Sequence, residues 1–288
     1  MTRGRFIAVR LALSVLLLGA TSRCALASDF ETNVWRRAVQ RLSFSAFADI
    51  ESAYWARGAI VDKRPFSAQY ADLSVDLDPF GRVGGYAWSV SSLSKSGQSA
   101  TRRNAYNEVD YGVYYGYGLE LAEGWTLDTT VAKKWVTLPG YRPHASTISE
   151  WNFSQALKNP YVTPWCLIRR GTHPNDWTYY RVGAQHGFSL MDGLTLTPIF
   201  YAELGDERHF NRRYGQNVRG RSYHSGPQSL VAQLELAWKV RDWISVTATL
   251  TQFGLVSEDA RASIMENGSR GQRRRDLTIF GLGVVMKF

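Results

Sequence analysis

Between Asn107 and Leu121 the chain alternates two kinds of residue without a break. Val109, Tyr111, Val113, Tyr115, Tyr117, Leu119 and Leu121 take the odd positions, whereas Glu108, Asp110, Gly112, Tyr114, Gly116, Gly118 and Glu120 take the even ones. A period of two belongs to a β-strand, whose successive side chains leave the pleated backbone on opposite faces. One face suits lipid and the other water. The pattern returns at Leu230, Ala232, Leu234, Leu236 and Trp238, opposed by Ser229, Gln233, Glu235 and Lys239. It returns again at Ile244, Val246, Ala248 and Leu250, opposed by Ser245, Thr247, Thr249 and Thr251. Alternating segments of about ten residues are the signature of strands that cross a membrane in a closed barrel. No later stretch offers the roughly 20 consecutive apolar residues of a spanning helix.

Further strands are predicted at 42–54, 67–77, 83–93, 125–138, 147–157, 161–169, 177–190, 194–204 and 277–288, with Pro160 and Pro164 interrupting the pair between Thr147 and Arg169. Short links at Asp78-Pro79-Phe80-Gly81, Ala122-Glu123-Gly124, Lys158-Asn159, Met191-Asp192-Gly193 and Arg241-Asp242 alternate with longer ones at 55–66, 94–106, 139–146, 170–176, 205–227 and 256–276. That is the asymmetry of bacterial outer-membrane barrels, with short periplasmic turns and long external loops. The expected fold is therefore all-β, an antiparallel transmembrane β-barrel of about 12 strands, with both chain termini on the periplasmic side. A soluble β-sandwich or lipocalin-like barrel is the alternative. Its core would have to hold Asp49, Glu51, Asp72, Asp76, Glu108, Asp110, Glu120 and Glu235, which share a face with Gly, Ser and Thr.

The N-terminus has three zones: basic Arg3, Arg5 and Arg10, an apolar run from Leu11 to Leu18, and Ala25-Leu26-Ala27. These predict a Sec-type signal peptide over 1–27, then a periplasmic lead segment over 28–41 and the barrel over 42–288. In the lead, Val34, Trp35, Ala38 and Val39 fit either a short amphipathic helix or an unstructured stretch. Cys24 follows Arg23, where lipid-attachment signals want a small side chain, so it is expected to leave with the signal. Cys166 is then a lone thiol and no intramolecular disulfide can form. The formal charge of +9 falls to about +5 with the signal's four arginines removed, and nucleic acid is not an expected partner.

The ten tryptophans and fifteen tyrosines recur near strand ends, at Tyr54, Trp55, Trp125, Trp135, Trp177, Trp238 and Trp243, as an interfacial girdle would. The last segment, Phe280, Leu282, Val284, Met286 and Phe288, resembles the C-terminal strand signal read by the barrel-assembly machinery.

The stretch Ser52-Ala53-Tyr54-Trp55-Ala56-Arg57-Gly58, then Pro65, Gln69 and an acidic strand to Asp76, resembles the opening of the TorF-type porin family. In that family an early strand carries Ser-x-Tyr-x-x-Arg-Gly followed by Pro and Gln. The strand from Glu108 to Tyr117, the tract Asn175-Asp176-Trp177-Thr178-Tyr179-Tyr180 and the hairpin from Ser189 to Leu196 have counterparts there too. The resemblance spans most of the chain beyond the signal and implies an outer-membrane porin. The long Arg-rich links near Arg213 and Arg274 depart from the family, so no solute preference carries over.

A barrel of this size leaves room for a narrow aqueous passage. Within it Glu108, Asp110, Asp128 and Glu235 would face Lys134, Arg181 and Lys239, a mixed-charge wall able to sort small hydrophilic solutes by charge and size. The same charges fit a plugged barrel in which they pair with one another. Arg208, Arg212, Arg213, Arg219 and Arg221 in one link, and Arg261, Arg270, Arg273, Arg274 and Arg275 in another, suit phosphates of lipopolysaccharide or anion gathering. Asp206, Glu207, Glu258, Asp259 and Glu266 equally make them solvated loops. A lipid hydrolase would need a serine on a histidine. His186 sits on the lipid face with Val182, Ala184 and Phe188, but Ser189 has the opposite parity and 194–204 holds no serine. No Cys/His spacing suits a metal, and Gly281 and Gly283 lack the context of a nucleotide loop, so no cofactor is expected. The leading expectation is a passive channel, ahead of a structural or surface-contact barrel and an enzyme.

Overall fold

The computed structural model describes residues 41–56, 59–62, 64–93, 108–138, 146–173, 176–214, 224–259, 261 and 276–288. The signal and lead segments lie outside them. In chain order the strands are β1 (Leu42–Glu51), β2 (Tyr54–Ala56), β3 (Ala59–Asp62), β4 (Phe66–Asp76), β5 (Arg82–Ser92), β6 (Glu108–Ala122), β7 (Trp125–Leu138) and β8 (Ser146–Lys158). They continue as β9 (Thr163–His173), β10 (Trp177–Gln185), β11 (Phe188–Met191), β12 (Leu194–Gly205), β13 (Gly226–Arg241), β14 (Ile244–Leu255) and β15 (Asp276–Lys287), with a helix α1 (Glu207–Tyr214) after β12.

Neighbours in sequence pair antiparallel around the sheet. β1 joins β4 on one side and β15 on the other, and β10 joins β12 from Tyr179↔Gly205 to Gln185↔Ile199. The sheet closes on itself as a 12-strand barrel with one extra strand, β11, which carries on the line of β10 along β12. The break at His186 has a cause in the partner strand. His186 N–H donates to the Pro198 carbonyl at 3.3 Å, so the N–H that would answer from the same residue is the one proline lacks. β2 and β3 form a separate hairpin at the end carrying the long links.

The short turns stand at the other end, where Gly81, Gly124 and Gly193 supply φ values of 90°, 74° and 73°. One turn is longer than its sequence suggests. The Asn159 carboxamide oxygen accepts from Tyr161 N–H and Val162 N–H, both at 3.0 Å, and folds residues 160–162 into a turn, so β9 starts at Thr163 and not at Tyr161.

Alternation has the expected polarity on the outside. Phe200, Phe280 and Leu282 are 59%, 62% and 66% exposed, and Leu73, Val113, Val182 and Leu230 stand on the same outer face. Trp238 and Trp243 belong to this surface near the short-turn end, and Trp243 stacks on Phe288 at 5.6 Å. Phe288 in turn exchanges backbone hydrogen bonds of 2.8 and 3.1 Å with Phe44, which zips the last strand to the first.

The inside differs from expectation. The sharing of a face by acids with Gly, Ser and Thr leads to a polar interior, yet Tyr54, Phe66, Val90, Val136, Trp177, Tyr179, Phe253 and Ile279 are buried inside the barrel at its long-link end. Tyr54 and Trp177 are therefore core residues and not girdle members. Inward glycines make room for such rings: a Cβ at Gly112 would stand 2.7 Å from Tyr86, and Gly84 fronts Tyr114 in the same way.

Candidate functional site in the barrel lumen

Two charge clusters are built on one wall of the lumen. Register sets Asp110 two residues from Gly112, the partner of Lys134, and sets Lys134 opposite Glu150. Lys134 pairs with Asp110 and lies 3.7 Å from Glu150, with both carboxylates buried. Its ammonium also stands 5.9 Å from the ring centre of Trp88. Further round the wall, closure of β10 on β12 places Arg181 opposite Glu203. The guanidinium reaches Glu203 Oε1 at 2.9 Å through Nη2 and at 3.0 Å through Nε, and Nε also donates to the Tyr179 hydroxyl at 2.8 Å. Tyr179 donates its own proton to Glu203 Oε1, and Ser229 donates to Oε2 at 2.5 Å. Every lone pair direction of this fully buried carboxylate that these groups reach is thus used, which is what makes a buried ion pair tolerable. The guanidinium lies over the Tyr201 ring at 5.1 Å, and that of Arg169 stands 6.0 Å from the Tyr179 ring.

Around and above this layer the long-link end is packed. Ala53, Phe210, Val231, Phe253, Leu255, Leu277 and Ile279 form one buried apolar cluster, with Trp165 and Ile199 against it. Phe210 comes from α1, so the link 205–227 is no simple solvated loop. Asp206 caps the helix: its Oδ1 accepts from His209 N–H and its Oδ2 from Thr178 N–H, both at 2.6 Å. The cap pins α1 to β10 and seats the His209 ring between Trp177 at 5.4 Å and Tyr179 at 5.1 Å. A rim cleft of about 360 Å³ lies beside it, lined among others by Arg170, Asp176, Glu207 and Arg208.

Below the layer the lumen changes character. Ser45, Asp72, Thr130, Ser154, Thr197, Gln233, Glu235, Thr247 and Thr249 face inward and stay half-buried. Asp72 accepts from the Tyr114 hydroxyl at 3.0 Å, and rings run from Phe47 to Tyr70, Tyr86 and Tyr114 at spacings of 5.1, 5.9 and 6.5 Å. These groups line a vestibule toward the short-turn end.

The wall residues expected from sequence are thus distributed. Asp110, Lys134 and Arg181 belong to the charge layer. Glu108 accepts from the Tyr54 hydroxyl at 2.8 Å near the packed end, while Asp128 pairs with Lys158 and Lys239 with Asp242 at 2.8 Å near the short turns. Glu235 lies between Thr197 and Thr249 in the vestibule. Sequence reasoning missed Glu150, Tyr179, Glu203 and Ser229. Parity alone would have put Glu150 and Glu203 on the inner face, but their partners follow only from register. Arg212 and Arg213 fall in α1, where their side chains lie outside the description, as do Arg273, Arg274 and Arg275 altogether. His186 packs edge-on against Phe188 at 4.5 Å, and no serine hydroxyl bonds to it among the described residues.

No protein-family model and no curated protein sequence matches the chain. Among solved structures, an outer-membrane channel from Pseudomonas putida F1 superposes with a TM-score of 0.53 at 12% identity, over 86% of this chain and 95% of that one. The fold is that of an outer-membrane β-barrel. Looser matches include the NanC porin, at TM-score 0.48 and 9% identity over 85% of this chain and 100% of that one. The KdgM porin in complex with disordered oligogalacturonate gives 0.45 and 9% over 85% and 99%. By the usual orientation of such barrels the short-turn end is periplasmic and the packed end external.

Proposed function

We propose that this chain is a porin-like barrel of the bacterial outer membrane, exported by its N-terminal signal, which gives small hydrophilic solutes a passive route. In this reading the structure is the closed form of that route. The observation that carries it is the charge layer of Lys134, Asp110, Glu150, Arg181 and Glu203 at the inner limit of a polar vestibule. Apolar residues of similar size would stabilise a purely structural core as well or better. Ion pairs held on one wall of a lumen instead supply a local field at a constriction, which can act on the charge of a passing solute. Membership of the TorF-type porins, suggested by the Ser52 to Gly58 stretch, fits the same reading. Assembly through the strand ending in Phe288, and contact of Arg212, Arg213, Arg273, Arg274 and Arg275 with anions or lipopolysaccharide, belong to it as well.

A second reading has its own support. The apolar cluster around Phe210 fills the external mouth, as it would in a non-conducting structural barrel. Planar-bilayer recording of the refolded protein in a salt gradient separates the two. Discrete conductance steps whose ion selectivity shifts on Arg181→Ala support the channel. A heat-modifiable, correctly folded barrel that stays silent, including after Phe210→Ala, rejects it in favour of the structural barrel.

A further inference from the structure

Outward-facing positions of the described barrel strands are apolar or carry uncharged polar side chains, with one exception. Away from strand ends, Lys133 and Arg170 are the charged side chains at outward-facing positions of the described barrel strands. They are not scattered. Register pairs Lys133 with Trp151 and Trp151 with Arg170, so the three make one row across β7, β8 and β9 near their external ends. The Lys133 ammonium lies 5.0 Å from the Trp151 ring centre and donates to Thr172 Oγ1 at 3.3 Å. Trp151 is 49% exposed and the Arg170 side chain 62% exposed.

The rows on either side differ in kind. Toward the membrane centre stand Val131, Phe153 and Ile168, paired in the same order. Toward the outside stand the hydroxyls of Ser149 and Thr172, and Trp135 stacked on Tyr111 at 5.5 Å. The strip therefore passes from apolar to cationic to hydroxyl-bearing over three residue rows, as its surroundings pass from acyl chains to a phosphorylated, hydroxyl-rich headgroup.

A cation facing hydrocarbon is unfavourable, and its penalty falls toward the headgroup layer where a counter-charge is at hand. Within the protein, Asp176 stands 3.6 Å from Arg170, but it also serves Arg208 at 3.9 Å. Asp206 and Glu207 line the same cleft as Arg170 and Arg208, whereas among the described residues no carboxylate forms an ion pair with Lys133, so the lipid-facing end of the row keeps an uncompensated cation. We propose that Lys133, Trp151 and Arg170 bind the phosphate of an outer-leaflet glycolipid headgroup. Arg170 offers a forked donor and Lys133 a point charge, Trp151 fixes the depth of both as an interfacial aromatic, and the Val131 row takes the first acyl carbons. The site rests on the membrane-barrel part of the functional reading and is independent of conduction.

The test uses the refolded barrel in detergent micelles, its folding checked by heat-modifiable gel migration. It is titrated with lipid A and with lipid A stripped of phosphate, and bound lipid is counted by native mass spectrometry. Retention of the phosphorylated lipid is expected to be about tenfold greater, the scale of one to two charge-assisted hydrogen bonds. The Lys133→Ala/Arg170→Ala variant should lose that preference, while Lys133→Arg/Arg170→Lys keeps most of it. Removing lipid-facing charge should leave the barrel folded, and either single alanine variant gives the same readout at a smaller amplitude. Undiminished preference in the double alanine variant overturns the site. Displacement of lipid A by millimolar inorganic phosphate overturns the lipid in favour of a free anion. Loss of heat-modifiability in the wild-type protein overturns the membrane barrel and the site with it.

Discussion

The two halves of one lumen are built on opposite plans. The external half is packed like a soluble protein's core: Phe253 is buried with Phe210 of an inserted helix, Tyr179 lies against His209 of that helix, and Val90 and Val136 are buried in two neighbouring clusters. The periplasmic half is lined by Ser, Thr and Asp side chains that stay half-buried. Strand chemistry alternates in the same way in both, so the difference comes from what each end must enclose. Short turns add nothing to the vestibule, whereas the long links return α1 and the Ala53–Tyr54 segment into the mouth. The charge layer sits where the two plans meet. A barrel wall is thus uniform in hydrogen bonding and uneven in how firmly its interior is held.

That contrast predicts a gradient of mutational effects, read as urea-unfolding midpoints in micelles. The largest belongs to Arg181→Ala, which strands the buried Glu203 carboxylate and should cost about 3–5 kcal/mol. An unchanged midpoint would mean the layer is hydrated and not part of the packed half. Phe210→Ala should remove about 3 kcal/mol of local packing and raise single-channel conductance or liposome-swelling rate at the same time. Destabilisation with no gain in permeability would keep the contrast but make the mouth a fixed plug. Asp206→Ala removes the cap of α1 and should cost about 1 kcal/mol, with faster amide exchange confined to the helix and the start of β10. The smallest effect is expected in the vestibule. Asp128→Asn breaks a half-exposed pair with Lys158 and should move stability by no more than about 0.5 kcal/mol. Its consequence should be a shift in cation selectivity, and a loss as large as that of Arg181→Ala would erase the distinction between the halves.

Much of this architecture is readable along the chain. Strand number follows from the alternation at 107–121 and its repeats, and orientation follows from short and long links. Asp110, Lys134 and Arg181 could be assigned to the inner face by parity alone. Two misreadings have one source. Tyr54 and Trp177 both stand near strand ends, where a girdle aromatic belongs, yet Trp177 has inward parity, and Tyr54, outward by the parity of β1, turns inward beyond the bend at Ser52-Ala53. The helix 207–214 was hidden because, among its described side chains, the buried ones are His209 and Phe210 within an Arg-rich stretch, too short a pattern for periodicity to report.

What the sequence by itself determined is local: which residues are strand, which share a face, and where the chain turns. Those depend on a two-residue period and on turn chemistry, and neighbours suffice to set them. What only the tertiary structure decided is partnership. Arg181 meets Glu203 because β10 closes on β12, Lys133 and Arg170 flank Trp151 because register sets the three in one row, and Phe210 meets Phe253 because a loop returns into the mouth. Parity names the face a charge points to. The register and closure of the barrel choose the charge it meets there, and no property of a single strand contains that choice.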